Sequence, residues 1–144
     1  MKQSERDALR GQLIRSLEEV YGLEAFSALA ELLQGEALVL RALAAQAPRA
    51  LSPSELSDRL HLSRSRITGA LNSLRRKGLI RTEPAPADRR RLLVYLTEAG
   101  ARRIAGQLDA MNAYFNRMIE GLGPAEARTL IELIDRCVTV MEGA

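Results

Sequence analysis

The side chains best suited to chemistry in this chain are hydroxyl, amide and guanidinium groups that recur between residues 63 and 77. At 100° per residue, a helix over this stretch places Ile67 and Leu71 on one face and hydrogen-bonding groups on the other. The polar face and its edges consist of Arg64, Ser65, Thr68, Gly69, Asn72, Arg75 and Arg76. Because such groups hydrogen-bond to base edges and phosphates, this face predicts a nucleic-acid contact surface.

A second basic group lies in the loop 84–91, between short strands predicted at 79–83 and 92–97. The prolines of this loop should stiffen it and keep it from extending the sheet. Arginines at a hairpin tip suit the narrow, electronegative minor groove or its flanking phosphates. The three arginines are Arg89, Arg90 and Arg91, and Asp88 beside them is expected to orient one guanidinium. A basic tip alone is more often merely solvated, but its place after two short helices favours DNA contact.

Local start and stop signals predict those two helices and the tight turn between them. Ser52 can cap the first helix, with a proline at its first position and Glu55 placed to reach back, and this helix should end near residue 60. Residues 61–62 form the turn, and Ser63 caps the second helix, which stops at Gly78 after a basic last turn. Together with the hairpin, these elements predict a winged helix-turn-helix, which places its second helix in a DNA major groove.

Longer helical segments flank this unit. Residues 3–33 are predicted to form one bent helix or two helices, and 36–46 a helix that is apolar nearly all round and therefore buried. A long helix is predicted over 98–120, and a last one begins at Pro124. The first and last segments carry apolar stripes that one small unit could not cover, so their simplest partners are each other and then the same helices of a second chain.

We therefore predict a mainly α fold with a small β-wing, organised as a single domain over 1–144. The winged helix-turn-helix unit occupies 34–97, and dimerisation helices occupy 1–33 and 98–144. The formal net charge is only +3, but residues 64–103 hold eleven Lys/Arg and three Asp/Glu, whereas the remainder is acidic. The basic segment could simply form a solvated charged face. Because it coincides with the helix-turn-helix pattern, however, it favours a surface that binds a polyanion.

Several other classes of protein are disfavoured by the residues present. No apolar run is long enough to span a membrane, and the polar first residues do not resemble a signal peptide, so a cytoplasmic protein is expected. The only histidine, His61, lies in the predicted turn, which argues against an enzyme. No metal-ligand spacing or phosphate-binding loop occurs, so no metal or cofactor is expected. Cys137 falls on an apolar stripe and is interpreted as a core or interface residue rather than a redox sensor.

The order of these elements resembles the MarR family of bacterial transcription regulators, and the resemblance covers nearly the whole chain. It is most specific in the pieces L-S-P-S-E-L, K-G-L-I-R, D-R-R-R and L-T-E-A-G, which occur here in the family's order. The resemblance implies an obligate homodimer with interlocked first and last helices. It implies binding to double-stranded DNA at a pseudo-palindromic operator, with recognition helices in successive major grooves about 34 Å apart.

The resemblance also implies roles for individual residues. Residues 63–76 match the recognition helix, and Asp88 and Arg90 match an Asp-x-Arg pattern in the wing, with Arg89 and Arg91 as additional charges. The expected groove contacts are Arg64, Ser65, Arg66, Thr68 and Asn72, and the expected phosphate contacts near the preceding helix are Ser52 and Ser54.

Relatives of this kind act as repressors, and some are relieved by small aromatic acids or drugs bound between the dimer helices and the winged unit. The leading helices here show no clear aromatic cluster, so the sequence does not identify such an effector. The alternative function is a winged-helix module that binds other proteins and does not bind DNA. A neutral wing and a neutral recognition face would favour this alternative.

Overall fold

The computed structural model describes residues 1–143, and over these residues it contains seven helices and one two-stranded antiparallel sheet. The helices are α1 (Gln3–Tyr21), α2 (Glu24–Leu32), α3 (Gly35–Gln46), α4 (Pro53–Leu60), α5 (Arg64–Arg76), α6 (Glu98–Leu122) and α7 (Pro124–Glu142). The strands are β1 (Ile80–Pro84) and β2 (Leu92–Leu96). The predicted mainly α fold with a small β-wing is confirmed.

The structure decides one open boundary and shifts two others. Of the two alternatives predicted for residues 3–33, it has two helices, because α1 ends before Gly22 and Leu23 is extended before α2 begins. The break expected at 121–123 is confined to Gly123, whose φ of 83° is readily adopted by glycine. Pro84 lies in β1 opposite Leu92 rather than in the loop, as an edge strand allows.

The centre of the fold is α3, which packs against α2, α4, α5, α6 and β2. Its side chains Val39, Leu40 and Leu43 are buried, and they join one continuous apolar core with Leu56 of α4 and Ile67 of α5. The prediction of a buried central helix is therefore confirmed. Because α5 and α6 both pack on α3, the core fixes the orientation of the polar helix face relative to the long helix.

The wing is tied to the rest of the unit by backbone hydrogen bonds. Leu51, just before α4, pairs with Val94 of β2: the Val94 amide donates to the Leu51 carbonyl at 2.8 Å, and the Leu51 amide donates back at 3.3 Å. Both side chains are fully buried. The start of α4 and the base of the wing therefore form one structural unit.

The start of α6 explains the L-T-x-x-G piece of the sequence. The Thr97 hydroxyl accepts from the Gly100 amide at 3.1 Å, which caps α6, and donates to the Gly78 carbonyl at 2.7 Å. Gly100 is buried against the backbone of Leu79, and a Cβ at this position would overlap the Leu79 carbonyl oxygen. Glycine is therefore required by the close approach of α6 to the chain entering β1.

The terminal helices leave their apolar faces uncovered within the chain. No residue of α1 is buried, and Ala127 is the buried residue of α7. The main neighbour of α1 is α2, and that of α7 is α6. The exposed apolar side chains of the two helices include Leu9, Leu13, Ile14, Leu17, Leu130, Ile131, Leu133, Ile134 and Val138. The prediction that α1 covers α7 within one chain is therefore wrong, and Cys137 is exposed in the single chain rather than in its core.

Gly100→Ala should lower the free energy of unfolding by about 3 kcal/mol, because the added methyl group overlaps a backbone carbonyl that cannot rotate away. Gly106→Ala is the matched control, since a Cβ at Gly106 of the same helix meets nothing within 4 Å and should gain about 1 kcal/mol in helix propensity. Urea unfolding at one protein concentration measures both. Equal unfolding midpoints for the two variants would show that the close approach of Gly100 to the Leu79 backbone does not require a glycine at this position.

Candidate nucleic-acid interface

The turn between α4 and α5 sets the position of the polar helix. His61 ends α4 in the left-handed conformation, with φ of 53° and ψ of 39°. The Ser57 hydroxyl donates to the Leu62 carbonyl at 2.6 Å, and the Leu62 amide donates to the Ser57 carbonyl at 3.2 Å. The Ser63 hydroxyl then accepts from the Arg66 amide at 3.2 Å and caps α5. The helix-turn-helix prediction and both of its caps are confirmed.

The outer face of α5 carries the predicted polar groups. The side chains Ile67, Leu71 and Leu74 are buried against the core, so the opposite face is turned to solvent. The predicted contact residues on or beside this face are all exposed: Ser63, Arg64, Ser65, Arg66, Thr68, Asn72, Arg75 and Arg76. The structure thus brings these hydrogen-bonding groups together on one convex surface.

Several of these groups are held in place by short contacts. An Arg64 guanidinium nitrogen lies 3.4 Å from the Ser54 hydroxyl of α4, and the Thr68 hydroxyl donates to the Arg64 carbonyl at 2.8 Å. An Arg75 guanidinium nitrogen donates to the Asn72 amide oxygen at 2.9 Å. The Asn72 amide oxygen has two lone pairs, so Arg75 can orient the amide while the second lone pair and the amide nitrogen bind the edge of an adenine.

Ser52 lies in a different environment from the other predicted contacts. Its side chain is only 2% exposed, and its hydroxyl accepts from the Glu55 amide at 3.1 Å and contacts Glu55 Oε1 at 3.3 Å. The Ser52 amide also donates to Glu55 Oε1 at 3.4 Å, which completes a capping box. Ser52 therefore orients the start of α4, and Ser54 is the more accessible hydroxyl of the two.

The wing loop is closed by its own backbone. The Ala85 amide donates to the Arg91 carbonyl at 2.8 Å, and the Arg91 amide donates to the Asp88 carbonyl at 3.0 Å. Asp88 Oδ1 accepts from the Arg90 amide at 3.0 Å. The expectation that Asp88 orients a guanidinium is wrong, because its carboxylate binds the nearer backbone N–H. The Arg89 and Arg90 side chains are exposed at the tip.

Arg91 differs from the other wing arginines because it pairs with Glu55. Its Nη2 lies 2.8 Å from Glu55 Oε1, and Arg49 Nη2 lies 3.6 Å from Glu55 Oε2. Partial burial alone would raise the pKa of Glu55, but hydrogen bonds from Ser52 and the charges of Arg49 and Arg91 together lower it. The sequence analysis missed this pair, since Glu55 and Arg91 are 36 positions apart and no local spacing indicates it.

A cavity of about 650 Å³ lies between the end of α1, α2, α3 and α6. The rings of Tyr21 and Phe26 flank it with their centroids 6.4 Å apart, and Arg103 and Gln107 of α6 also line it. The leading helices therefore hold one aromatic pair at the cavity, which the break at Gly22 brings together. Gln107 Oε1 is buried without a hydrogen-bond partner among the described residues.

The cavity wall is connected to the end of α5. Glu36, which lines the cavity, accepts from Lys77 Nζ at 2.7 Å. The hydrogen bond from Lys77 is the largest of the effects that hold the pKa of Glu36 below its ordinary value. Glu36 therefore remains ionised near neutral pH and joins the start of α3 to the residue that follows the polar helix.

Other kinds of site are not found in the part of the chain that the structure describes. No group of three His, Cys, Asp or Glu side chains within residues 1–143 is arranged to hold a metal ion. None of the described helices is long and apolar enough to cross a membrane.

Comparison with known proteins agrees with this geometry. The MarR family model matches residues 31–91. The HTH-type transcriptional regulator YpoP of Bacillus subtilis, itself uncharacterised, is 31% identical over 106 residues, which are 74% of this chain and 74% of YpoP. Two other curated relatives are matched over 52% of their own length, so the chain spans about half of each.

Solved structures of similar proteins have the same architecture. The PcaV transcriptional regulator of Streptomyces coelicolor is 29% identical, with a TM-score of 0.67 and coverage of 94% of this chain and 98% of PcaV. A mutant of MepR from Staphylococcus aureus, bound to an oligodeoxyribonucleotide, is 18% identical with a TM-score of 0.64. That alignment covers 92% of this chain and 97% of the MepR chain, and it supports the fold.

A core-anchored helix-turn-helix, an exposed polar second helix and an arginine-tipped hairpin define a winged helix-turn-helix protein. The YpoP match extends this likeness beyond the winged unit to most of the chain. The chain belongs to the MarR family of transcriptional regulators.

Proposed function

We propose that this protein is a repressor that binds a pseudo-palindromic DNA operator as a homodimer. The observation that carries the proposal is the surface on which the exposed polar face of α5 lies beside a wing that presents Arg89 and Arg90. Side chains of this kind bind base edges in the major groove and phosphates or the minor groove beside it. The MepR complex supports the proposal, because a protein of the same fold binds an oligodeoxyribonucleotide.

Each predicted contact has a distinct part in the proposed complex. The side chains that bind base edges or adjacent phosphates are Arg64, Ser65, Arg66, Thr68 and Asn72. Further phosphate contacts come from the far end of α5, at Arg75 and Arg76. Ser54 contacts a phosphate near α4, while Ser52 and Ser63 hold the two helices by their caps. In the wing, Asp88 shapes the turn that presents Arg90. The basic wing and helix disfavour the alternative of an interaction module that does not bind DNA.

The homodimer is supported by the uncovered faces of the terminal helices. Large exposed apolar patches mark interaction surfaces, and here they run along α1 and α7. A second copy of the chain can cover both faces at once. In a two-fold dimer the apolar faces of α1 and α7 in one chain pack against the same faces of its partner. Two winged units would then be held at a fixed separation, as a palindromic site requires.

Relief by a small molecule is the third part of the proposal. The cavity bounded by α2, α3 and α6 lies where the terminal helices meet the winged unit. Its lining matches a small aromatic acid: Tyr21 and Phe26 for the ring, Arg103 for the carboxylate, and Gln107 Oε1 for a hydroxyl donor. A ligand that binds there would alter the separation of the two units and so reduce operator affinity.

DNA binding is tested by fluorescence anisotropy of the purified protein with random and genomic duplexes across a salt series. Selection of a palindrome, with a steep loss of affinity as salt rises, is expected. Arg90→Ala should weaken binding to all sequences and reduce the salt slope by about 2, one unit for each wing of the dimer, whereas Asn72→Ala should relax choice at one base pair of each half-site by about 1–3 kcal/mol. Arg15→Ala, on the side of α1 opposite its apolar stripe, removes the same charge outside the winged unit and should change neither. If the wild type binds no duplex even at low salt, the DNA-binding function is excluded, and the alternative, a winged-helix module that binds other proteins, takes its place.

Dimerisation is tested by sedimentation equilibrium, for which the wild type should give twice the chain mass of 15.9 kDa. Leu13 is 59% exposed and Ile134 is 53% exposed in the single chain, so Leu13→Glu and Ile134→Glu should leave the monomer folded while opposing association. Leu92→Glu is the control, because it places a carboxylate on an exposed leucine of β2. Dimers of unchanged affinity for all three variants would rule out the terminal helices as the interface.

Ligand relief is tested by titrating the protein–operator complex with small aromatic acids, including hydroxybenzoate. A coupling of about 1–3 kcal/mol is expected, equivalent to a loss of operator affinity of about 5- to 150-fold. Gln107→Leu keeps a similar volume and removes the unpaired acceptor, so it should reduce release by the ligand while leaving DNA affinity in its absence unchanged. If no compound of a broad panel changes operator affinity, the regulator acts without such a ligand.

A further inference from the structure

One carboxylate, that of Glu55, connects three separate segments beside the proposed DNA surface. Glu55 is the third residue of α4 and completes the capping box with Ser52. Its Oε1 lies 2.8 Å from Arg91 Nη2 at the base of the wing, and its Oε2 lies 3.6 Å from Arg49 Nη2, in the connection between α3 and α4. Glu55 therefore balances two cations that neighbour the hydroxyl groups at the start of α4.

Both arginines are accessible although they are paired. The Arg91 side chain is 56% exposed and that of Arg49 is 67% exposed, whereas that of Glu55 is 26% exposed. The carboxylate is thus fixed by the helix start, and the two guanidinium groups reach it from solvent. Each guanidinium contacts Glu55 through one nitrogen, so a DNA phosphate can reach the other donors only against the negative charge of the carboxylate beside them.

We propose that Glu55 is a positioning residue that limits the sequence-independent part of DNA binding, because its carboxylate weakens the binding of Arg91 and Arg49 to DNA phosphates. The inference rests on the proposed function, because it concerns how strongly the winged unit binds duplexes. Phosphate contacts add affinity without sequence information, whereas base contacts discriminate. Two unpaired arginines beside α4 would therefore strengthen binding to operator and random duplexes by the same factor and steepen its dependence on salt.

A backbone bridge, rather than the ion pair, holds the wing against the start of α4. Arg91 directly precedes β2, and the Leu51–Val94 backbone bridge lies close by on the same strand. The backbone bridge does not depend on Glu55, and the hydrogen bond from the residue-55 amide to the Ser52 hydroxyl survives replacement of the side chain. Glutamine can also serve as the third residue of a capping box. Glu55→Gln therefore removes the charge while the local fold is retained.

The test uses full-length wild type, Glu55→Gln, Arg91→Ala and the double variant, with the selected operator and a random duplex across a salt series. The matched control is Glu83→Gln, which removes one exposed carboxylate from β1 that pairs with Arg81 at 3.3 Å. Glu83→Gln and Glu55→Gln change the net charge equally. Any difference between the two therefore reports the specific pairing with Arg91 and Arg49.

Glu55→Gln is expected to tighten binding to both duplexes and to steepen the salt slope by about 2–4, since each protomer of the proposed dimer gains one or two phosphate contacts and each contact contributes about 0.9. Raising salt from about 50 to about 200 mM should then cost about 3.5-fold more affinity for each added contact. The affinities for operator and random duplexes should rise by the same factor, so their ratio should stay unchanged. Arg91→Ala should reverse much of this steepening in the double variant and have little effect alone.

Three results would overturn the inference. Equal changes in Glu55→Gln and Glu83→Gln would assign the effect to net charge alone. An unchanged slope with a lower unfolding midpoint for Glu55→Gln would reduce Glu55 to a helix cap. Failure of the wild type to bind any duplex would overturn the proposed function together with this inference, whereas wild-type binding combined with either of the first two results overturns the inference alone.

Discussion

The burial of α3 is the interaction on which the rest of the structure depends. Its side chains Val39, Leu40 and Leu43 are almost completely removed from water, and burial of one such aliphatic side chain contributes about 1.5–3 kcal/mol. Because α5 packs on one side of α3 and α2 and α6 on others, this helix holds the polar recognition surface against the helices that lead to the termini. An unpaired polar group in place of Val39, Leu40 or Leu43 would weaken the packing of α3 against these helices.

Local signals explain why most elements could be predicted from the sequence. The caps Ser52, Ser63 and Thr97 each bind an amide three residues away, so their effect is contained in a short stretch of chain. The polar face of α5 follows in the same way from the helical period and from the burial of its apolar residues. Prediction succeeded where the determining contacts join residues close in sequence.

The remaining features depend on contacts between distant parts of the chain. The pairs Glu55–Arg91 and Glu36–Lys77 join residues 36 and 41 positions apart, and their geometry follows only from the packing of α3, α4 and the wing. From the sequence, the Asp88 carboxylate could bind several nearby donors. The geometry of the turn determines that it accepts from the Arg90 amide. The uncovered faces of α1 and α7 were foreseen as apolar stripes, but amphipathic pattern does not specify whether the covering helix belongs to the same chain.

The length of α6 has a mechanical consequence. This helix is fixed at its start by the contact of Gly100 with Leu79, it lines the cavity near its first third, and its end leads into α7. Its 25 residues span about 37 Å at a rise of 1.5 Å per residue. A rotation of about 5° about its anchored start would therefore displace its far end by about 3 Å. Because this pivot lies beside the wing and the far end leads into α7, a displacement of a few ångströms near α7 would correspond to a much smaller displacement beside the DNA-facing surface.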